Sequence, residues 1–200
     1  MEEKQEVVVA KLKDMSSNPA PLGLLAFGMT TVLLNICNTG YYKLGAMILA
    51  MGIFYGGIAQ VFAGWMEWKK GNTFGTVAFS SFGLFWITLV FLLEAPKLGW
   101  WDATSNGLMG WYFILWGLFT FIMFIGTLRI NRSLQTIFGT LVVLFILLAV
   151  AHWDNGNSVV TKIAGWEGII CGLSAVYTAA AHILNEIYGK VVLPLGVVKK

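Results

Sequence analysis

The sequence predicts an all-α integral membrane protein, a bundle of six transmembrane helices. Three observations carry this: its composition, apolar runs of spanning length, and a lopsided distribution of positive charge. Of 200 residues, 58% are hydrophobic and 12% charged, and the mean hydropathy is +0.75. Soluble domains carry about 25% charged residues, so the solvent matched to this chain is lipid. A crossing needs roughly 20 apolar residues. Candidate spans fall at about 20–39, 44–66, 75–93, 108–128, 134–152 and 163–187, joined by short polar loops that could not fold alone. The expected organisation is a 1–17 N-terminal tail, one six-helix domain over 18–190 and a 191–200 C-terminal tail, with no room for an appended catalytic domain.

Residues 1–17 are polar and charged and lack the apolar run and cleavage site of a secretory signal, so the tail is expected in the cytoplasm. Basic residues then fix the topology. With the N-terminus inside, the cytoplasmic segments hold ten of the basic residues: Lys4, Lys11, Lys13, Lys69, Lys70, Arg129, Arg132, Lys190, Lys199 and Lys200. The outer loops hold three, Lys43, Lys97 and Lys162, so both termini are expected in the cytoplasm. Aromatic residues such as Tyr41, Trp68, Trp100 and Trp153 gather near the expected interfaces, as amphipathic rings do.

Helix 1 starts at Asn18-Pro19-Ala20-Pro21, where Asn18 suits an N-cap and Pro19 the first helical position. Its free N–H groups and positive dipole end would suit an anion at the cytoplasmic mouth. Further along, Phe27, Thr31, Asn35 and Asn38 share an arc of roughly 80° at about 100° per residue. Helix 2 sets Gly52, Gly56, Gln60 and Gly64 four residues apart, and Glu67 returns to that side. Glycines there permit close packing, and Gln60 is a buried amide that needs partners. Helix 6 carries Glu167, Ser174, Thr178 and Asn185 within about 40° of one another, flanked by His182. It also carries Gly165, Gly168 and Gly172, a small-residue seam for packing within or between subunits. Polar groups in a membrane either bond neighbouring helices or line a water-filled path. Two aligned stripes favour a path.

Cys37 and Cys171 lie in apolar segments without metal or redox spacing, and read as packing residues. The chain shows no P-loop, GxSxG or HExxH, and His152 and His182 fall on different helices without ligand spacing. No catalytic or metal-binding residue, no cofactor and no nucleic-acid partner is expected. No Lys or Arg occupies mid-helix, so a solute would be held by amides, hydroxyls, dipoles and ring edges. That suits a small, weakly held anion or a neutral solute such as urea or an amide.

Asn18-Pro19-Ala20-Pro21-Leu22-Gly23-Leu24 followed by Phe27-Gly28-Met29-Thr30-Thr31 resembles the opening motif of the acetate uptake transporter family, the succinate-acetate permeases. Met51-Gly52-Ile53-Phe54-Tyr55-Gly56-Gly57, Gln60, Phe62-Ala63-Gly64, Lys70-Gly71-Asn72-Thr73-Phe74-Gly75, Phe85-Trp86, Trp116-Gly117 and Leu184-Asn185-Glu186 extend the resemblance over roughly residues 18–196. The resemblance implies a homohexamer in the plasma membrane, each subunit enclosing a path for acetate and sometimes succinate, either as a channel or as a transporter with protons as a further partner. It also implies an apolar constriction at Phe27, Phe82 and Leu141. Phe82 stands where a tyrosine is common in the family, which removes a hydroxyl from that ring. The candidate substrate contacts are Asn18, Thr31, Asn35, Asn38, Tyr55, Gln60, Ser174, Thr178 and Asn185. Glu167 and His182 depart from the family pattern and receive no role.

Overall fold

The computed structural model describes residues 16–198, so most of the expected N-terminal tail, with Lys4, Lys11 and Lys13, and the terminal Lys199 and Lys200 lie outside the described residues. Among the described residues six helices are long and apolar enough to cross a membrane: α1 Ala20–Asn38, α2 Ala46–Lys69, α3 Thr73–Glu94, α4 Asn106–Thr127, α5 Arg132–Trp153 and α6 Ser158–Tyr188. Among the described residues the only extended pairing is a single antiparallel bridge, Asn131 with Val197.

Short polar side chains set where most helices begin. Asn72, Ser105, Asn131 and Asn157 accept from the first-turn N–H groups of Gly75, Leu108, Leu134 and Val159, which relieves otherwise unpaired donors. The cap at Asn157 explains why α6 starts at Ser158, several residues before its apolar run. At α1 the start is shifted by one residue from expectation. Pro19 is the N-cap, its carbonyl accepting from Leu22 N at 3.1 Å, while the Asn18 carboxamide oxygen accepts from Ala20 N at 3.1 Å. Pro21 fits the first turn because no donor is needed there.

The seam between α1 and α6 brings two backbones into close contact. A Cβ on Gly28 would fall 2.6 Å from the Gly172 carbonyl oxygen, and one on Gly172 would fall 2.7 Å from that of Gly28. The Asn35 amide occupies the space a Gly168 side chain would need. The glycines of α6 therefore pack within the subunit against α1, and not between subunits. The expected single glycine face of α2 is also divided. Residues Phe54–Ala59 form a π-helical stretch, whose wider turn breaks the four-residue register. Gly52 and Gly64 then face Val90 and Ser80 of α3, and Gly56 faces Thr30 of α1.

Beyond α6 the chain turns at Gly189, whose φ of 62° favours glycine, and doubles back onto the start of α5. Arg132 N and Ser133 N donate to Gly196 O and Leu195 O at 2.8 and 3.1 Å, and Val198 N donates to Ile130 O at 3.1 Å. Two of the N-terminal donors that α5 cannot satisfy internally are thus paired by this segment.

Candidate functional site

Between α1, α2, α3, α5 and α6, on the side of the chain ends, lies a cavity of about 270 Å³, here the proximal cavity. A second, distal cavity of about 260 Å³ lies between α1, α3, α4 and α5 toward the other side. Phe27 and Leu141 line both. Phe82 lines the proximal one, with its ring centroid 5.7 Å from that of Phe27. All three are buried. Phe119 and Phe138 pack on Phe82 at 5.3 and 6.1 Å between centroids, so the wall at this level is held by ring contacts on several sides.

The polar groups sit on either side of that apolar level. In the distal cavity Thr31 is 2% exposed, and its hydroxyl has no partner. The Trp86 indole N–H is likewise buried and unpaired there. Asn35 and Asn38 also line this cavity, but they first satisfy each other: Asn38 Nδ2 donates to Asn35 Oδ1 at 3.0 Å, and Asn35 Nδ2 donates to the Thr31 carbonyl at 2.9 Å. In the proximal cavity Gln60 is 1% exposed, with an unpartnered Oε1. Asn18, Glu67, Asn72, Asn131 and His182 complete its polar rim, and Asn72 Nδ2 donates to Glu67 Oε2 at 2.7 Å. A buried polar group left without a partner costs about 1–3 kcal/mol. Thr31, Trp86 and Gln60 are therefore placed to gain from a polar solute. Among the described residues no Lys or Arg lines either cavity.

The stripe on α6 faces α5 and the C-terminal segment instead of either cavity, contrary to expectation. Ser174 donates to Cys171 O at 2.6 Å, Thr178 donates to Ser174 O at 2.8 Å, and Thr178 also bonds the Ser133 hydroxyl. Asn185 donates to Leu193 O at 2.8 Å and accepts from Val192 N at 2.6 Å, which ties down the returning segment. Tyr55 sits on the π-helical stretch, half-buried, and lines neither cavity. Both oxygens of Glu167 are buried without a partner among the described residues, away from the two cavities. Trp86, Glu67, Asn72, Asn131, His152 and His182 line the cavities and were missed as site residues. Trp86 had a signal in the motif Phe85-Trp86, and Glu67 in its return to the Gln60 side. The others depend on how helices pair.

The chain matches the GPR1/FUN34/yaaH family over residues 4–196. It is 57% identical over 180 residues to the succinate-acetate/proton symporter SatP of Escherichia coli (strain K12), covering 90% of this chain and 95% of that protein. It is 34% identical over 201 residues to acetate permease A of Emericella nidulans, covering 90% of this chain and 66% of the relative. A solved structure of the bacterial acetate channel SatP superposes with a TM-score of 0.88 at 57% identity, covering 90% of this chain and 99% of that one.

Proposed function

The chain belongs to the GPR1/FUN34/yaaH family, and from that premise we propose that it passes acetate and related small carboxylates, succinate among them, across the plasma membrane. The proximal and distal cavities are the inner and outer vestibules of one path within the subunit, and Phe27, Phe82 and Leu141 form the apolar barrier between them. The observation that carries this reading is that two cavities on opposite sides of the bundle share Phe27 and Leu141 as walls. A narrow apolar ring opposes a hydrated ion by dewetting, yet accepts a methyl group. The carboxyl end of the solute falls to Thr31 and Trp86 on one side and to Gln60 and Asn18 on the other. The carbon skeleton of the solute passes unchanged.

Both termini face the cytoplasm in this reading, supported by the excess of basic residues on that side. The assembly is a homohexamer with a path in each subunit. Reporter fusions after Gly71 and Asn131 should read cytoplasm and those after Ser105 and Asn157 the outside, and native mass measurement in mild detergent should give a six-fold species. The deciding experiment is uptake of labelled acetate by liposomes holding the purified protein. Propionate should compete and urea should not. The absence of Lys and Arg from both cavities would equally suit a neutral amide, so competition by urea in place of propionate overturns the carboxylate reading.

A further inference from the structure

The two histidines that the sequence leaves without a role divide between the two cavities. His152, in the last turn of α5, lines the distal cavity, and His182, near the end of α6, lines the proximal one. The apolar level of Phe27 and Leu141 stands between them. His152 Nδ1 lies 2.9 Å from the Leu148 carbonyl oxygen, and its ring packs on Phe113 at 5.1 Å between centroids. When Nδ1–H donates to that carbonyl, Nε2 keeps a lone pair for a proton.

The surroundings of each ring can be named. Cys37 and Asn38 of α1 and Met109 and Phe113 of α4 share the cavity of His152, which no charged side chain lines among the described residues. Around His182 the cavity brings Glu67 from α2, Asn72 from the turn before α3, Asn131 from the start of α5 and Asn18 from the start of α1. Glu186 lies one turn further along α6, and Lys70, three residues after Glu67, donates to the Ser16 carbonyl at 2.9 Å. Among the described residues each cavity is thus lined by one imidazole and by no Lys or Arg. Imidazole is the side chain that ordinarily exchanges protons near neutral pH.

We propose that His152 and His182 are proton-exchange sites on either side of the apolar ring, so that the carboxylate crosses the ring as its neutral acid. This deepens the carboxylate reading above and rests on it. At the entry side an imidazolium N–H bond breaks, a carboxylate oxygen gains the O–H bond, and both partners become neutral. At the exit side the acid O–H bond breaks and the second imidazole takes the proton, leaving an anion and an imidazolium. Beside a dry ring the neutral pair is favoured, because each charged form loses its hydration. A further observation points the same way. Gln60 Oε1 is a buried acceptor without a donor, and it fits the O–H of an acid, whereas the bare anion has no donor to offer.

The test uses purified protein in liposomes with a trapped pH indicator and the membrane potential clamped. Acetate influx should be indifferent to potential and bring about one proton per acetate. His152→Asn and His182→Asn should each slow influx at neutral pH by about tenfold or more, in line with the loss of a positioned proton donor. At pH ~5, close to the ordinary range of a carboxyl group, the bulk already supplies the acid, and both variants should recover nearly to the parent rate. A side chain that only packs would leave the same deficit at both pH values. His152→Gln and His182→Gln, read the same way, serve if the asparagine variants do not fold. The proposal is overturned by influx that follows the potential without protons, by variants unimpaired at neutral pH, or by deficits that persist in acid. Failure of the parent protein to take up acetate at any pH refutes the carboxylate reading instead.

Discussion

Helix α1 and helix α6 carry polar stripes that look alike in sequence, yet one borders the two cavities and the other binds the protein to itself. On α1, Phe27, Thr31, Asn35 and Asn38 line the distal cavity. On α6, Ser174, Thr178 and Asn185 all find partners in α6, α5 or the returning C-terminal segment. Angular alignment therefore says that a face avoids lipid, and leaves open what it meets instead. What separates the two stripes is satisfaction. The Thr31 hydroxyl is buried and unpartnered among the described residues, whereas the Asn185 amide bonds the backbone of Val192 and Leu193.

Substitutions that probe the comparison should differ widely in effect. The largest belongs to the seam that joins the two helices: Gly172→Leu forces a side chain against the Gly28 carbonyl and Val32. Backbone leaves no room to yield, so the variant should fail to give a monodisperse peak in size-exclusion chromatography, beyond the 1–3 kcal/mol or so typical of overpacking. Next comes the head of the α1 stripe. Phe27→Ala removes a wall common to both cavities, and lactate and succinate flux into liposomes should rise relative to acetate by about tenfold, equivalent to ~1.4 kcal/mol of barrier. Unchanged ranking and rates in well-folded Phe27→Ala protein would reassign this face to packing.

Thr31→Val keeps the shape of the site and deletes its unpaired hydroxyl. Acetate flux should fall by several-fold, as expected for the loss of a hydrogen bond of ~1 kcal/mol, while the melting temperature should hold or rise because a buried orphan is removed. On α6 the balance is inverted. Asn185→Ala should lower the melting temperature in detergent, for ~1–3 kcal/mol of lost bonds, and leave the substrate ranking as it was. The smallest effect is that of Ser174→Ala, whose hydroxyl bonds only its own helix at Cys171 O. Neither flux nor melting temperature should move measurably, and a clear loss of flux would return the α6 stripe to the path.

Much of the fold is legible in the sequence because membrane burial is read from local composition: every span expected from hydropathy overlaps a helix, with ends shifted by a few residues. Caps such as Asn157 move the ends, since a polar cap starts a helix before its apolar run begins. Less legible is anything that depends on which helix a face meets. The Phe27 and Thr31 positions emerge from periodicity, but His152 and His182 become interesting only when α5 and α6 are placed beside α1. The π-helical stretch at Phe54–Ala59 has no signal in hydropathy, yet it sends Gly56 to α1 and Gly52 to α3. The motif Phe85-Trp86 marks Trp86 in the sequence, but that its N–H is buried and unpaired among the described residues shows only in the structure.

The returning C-terminal segment gives the rim of the proximal cavity an order of manufacture. Ile130 and Asn131, which wall the proximal cavity, hold their places in part through bonds and a bridge to residues 196–198. Those residues leave the ribosome some 65 residues after Ser133 (198 − 133 = 65), a delay of several seconds at ~5–20 residues per second. During that interval α5 is already made while its first N–H groups still await their acceptors. The rim of the proximal cavity is consequently finished last, and a chain ending before Leu193 would carry all six long helices with that rim unfinished.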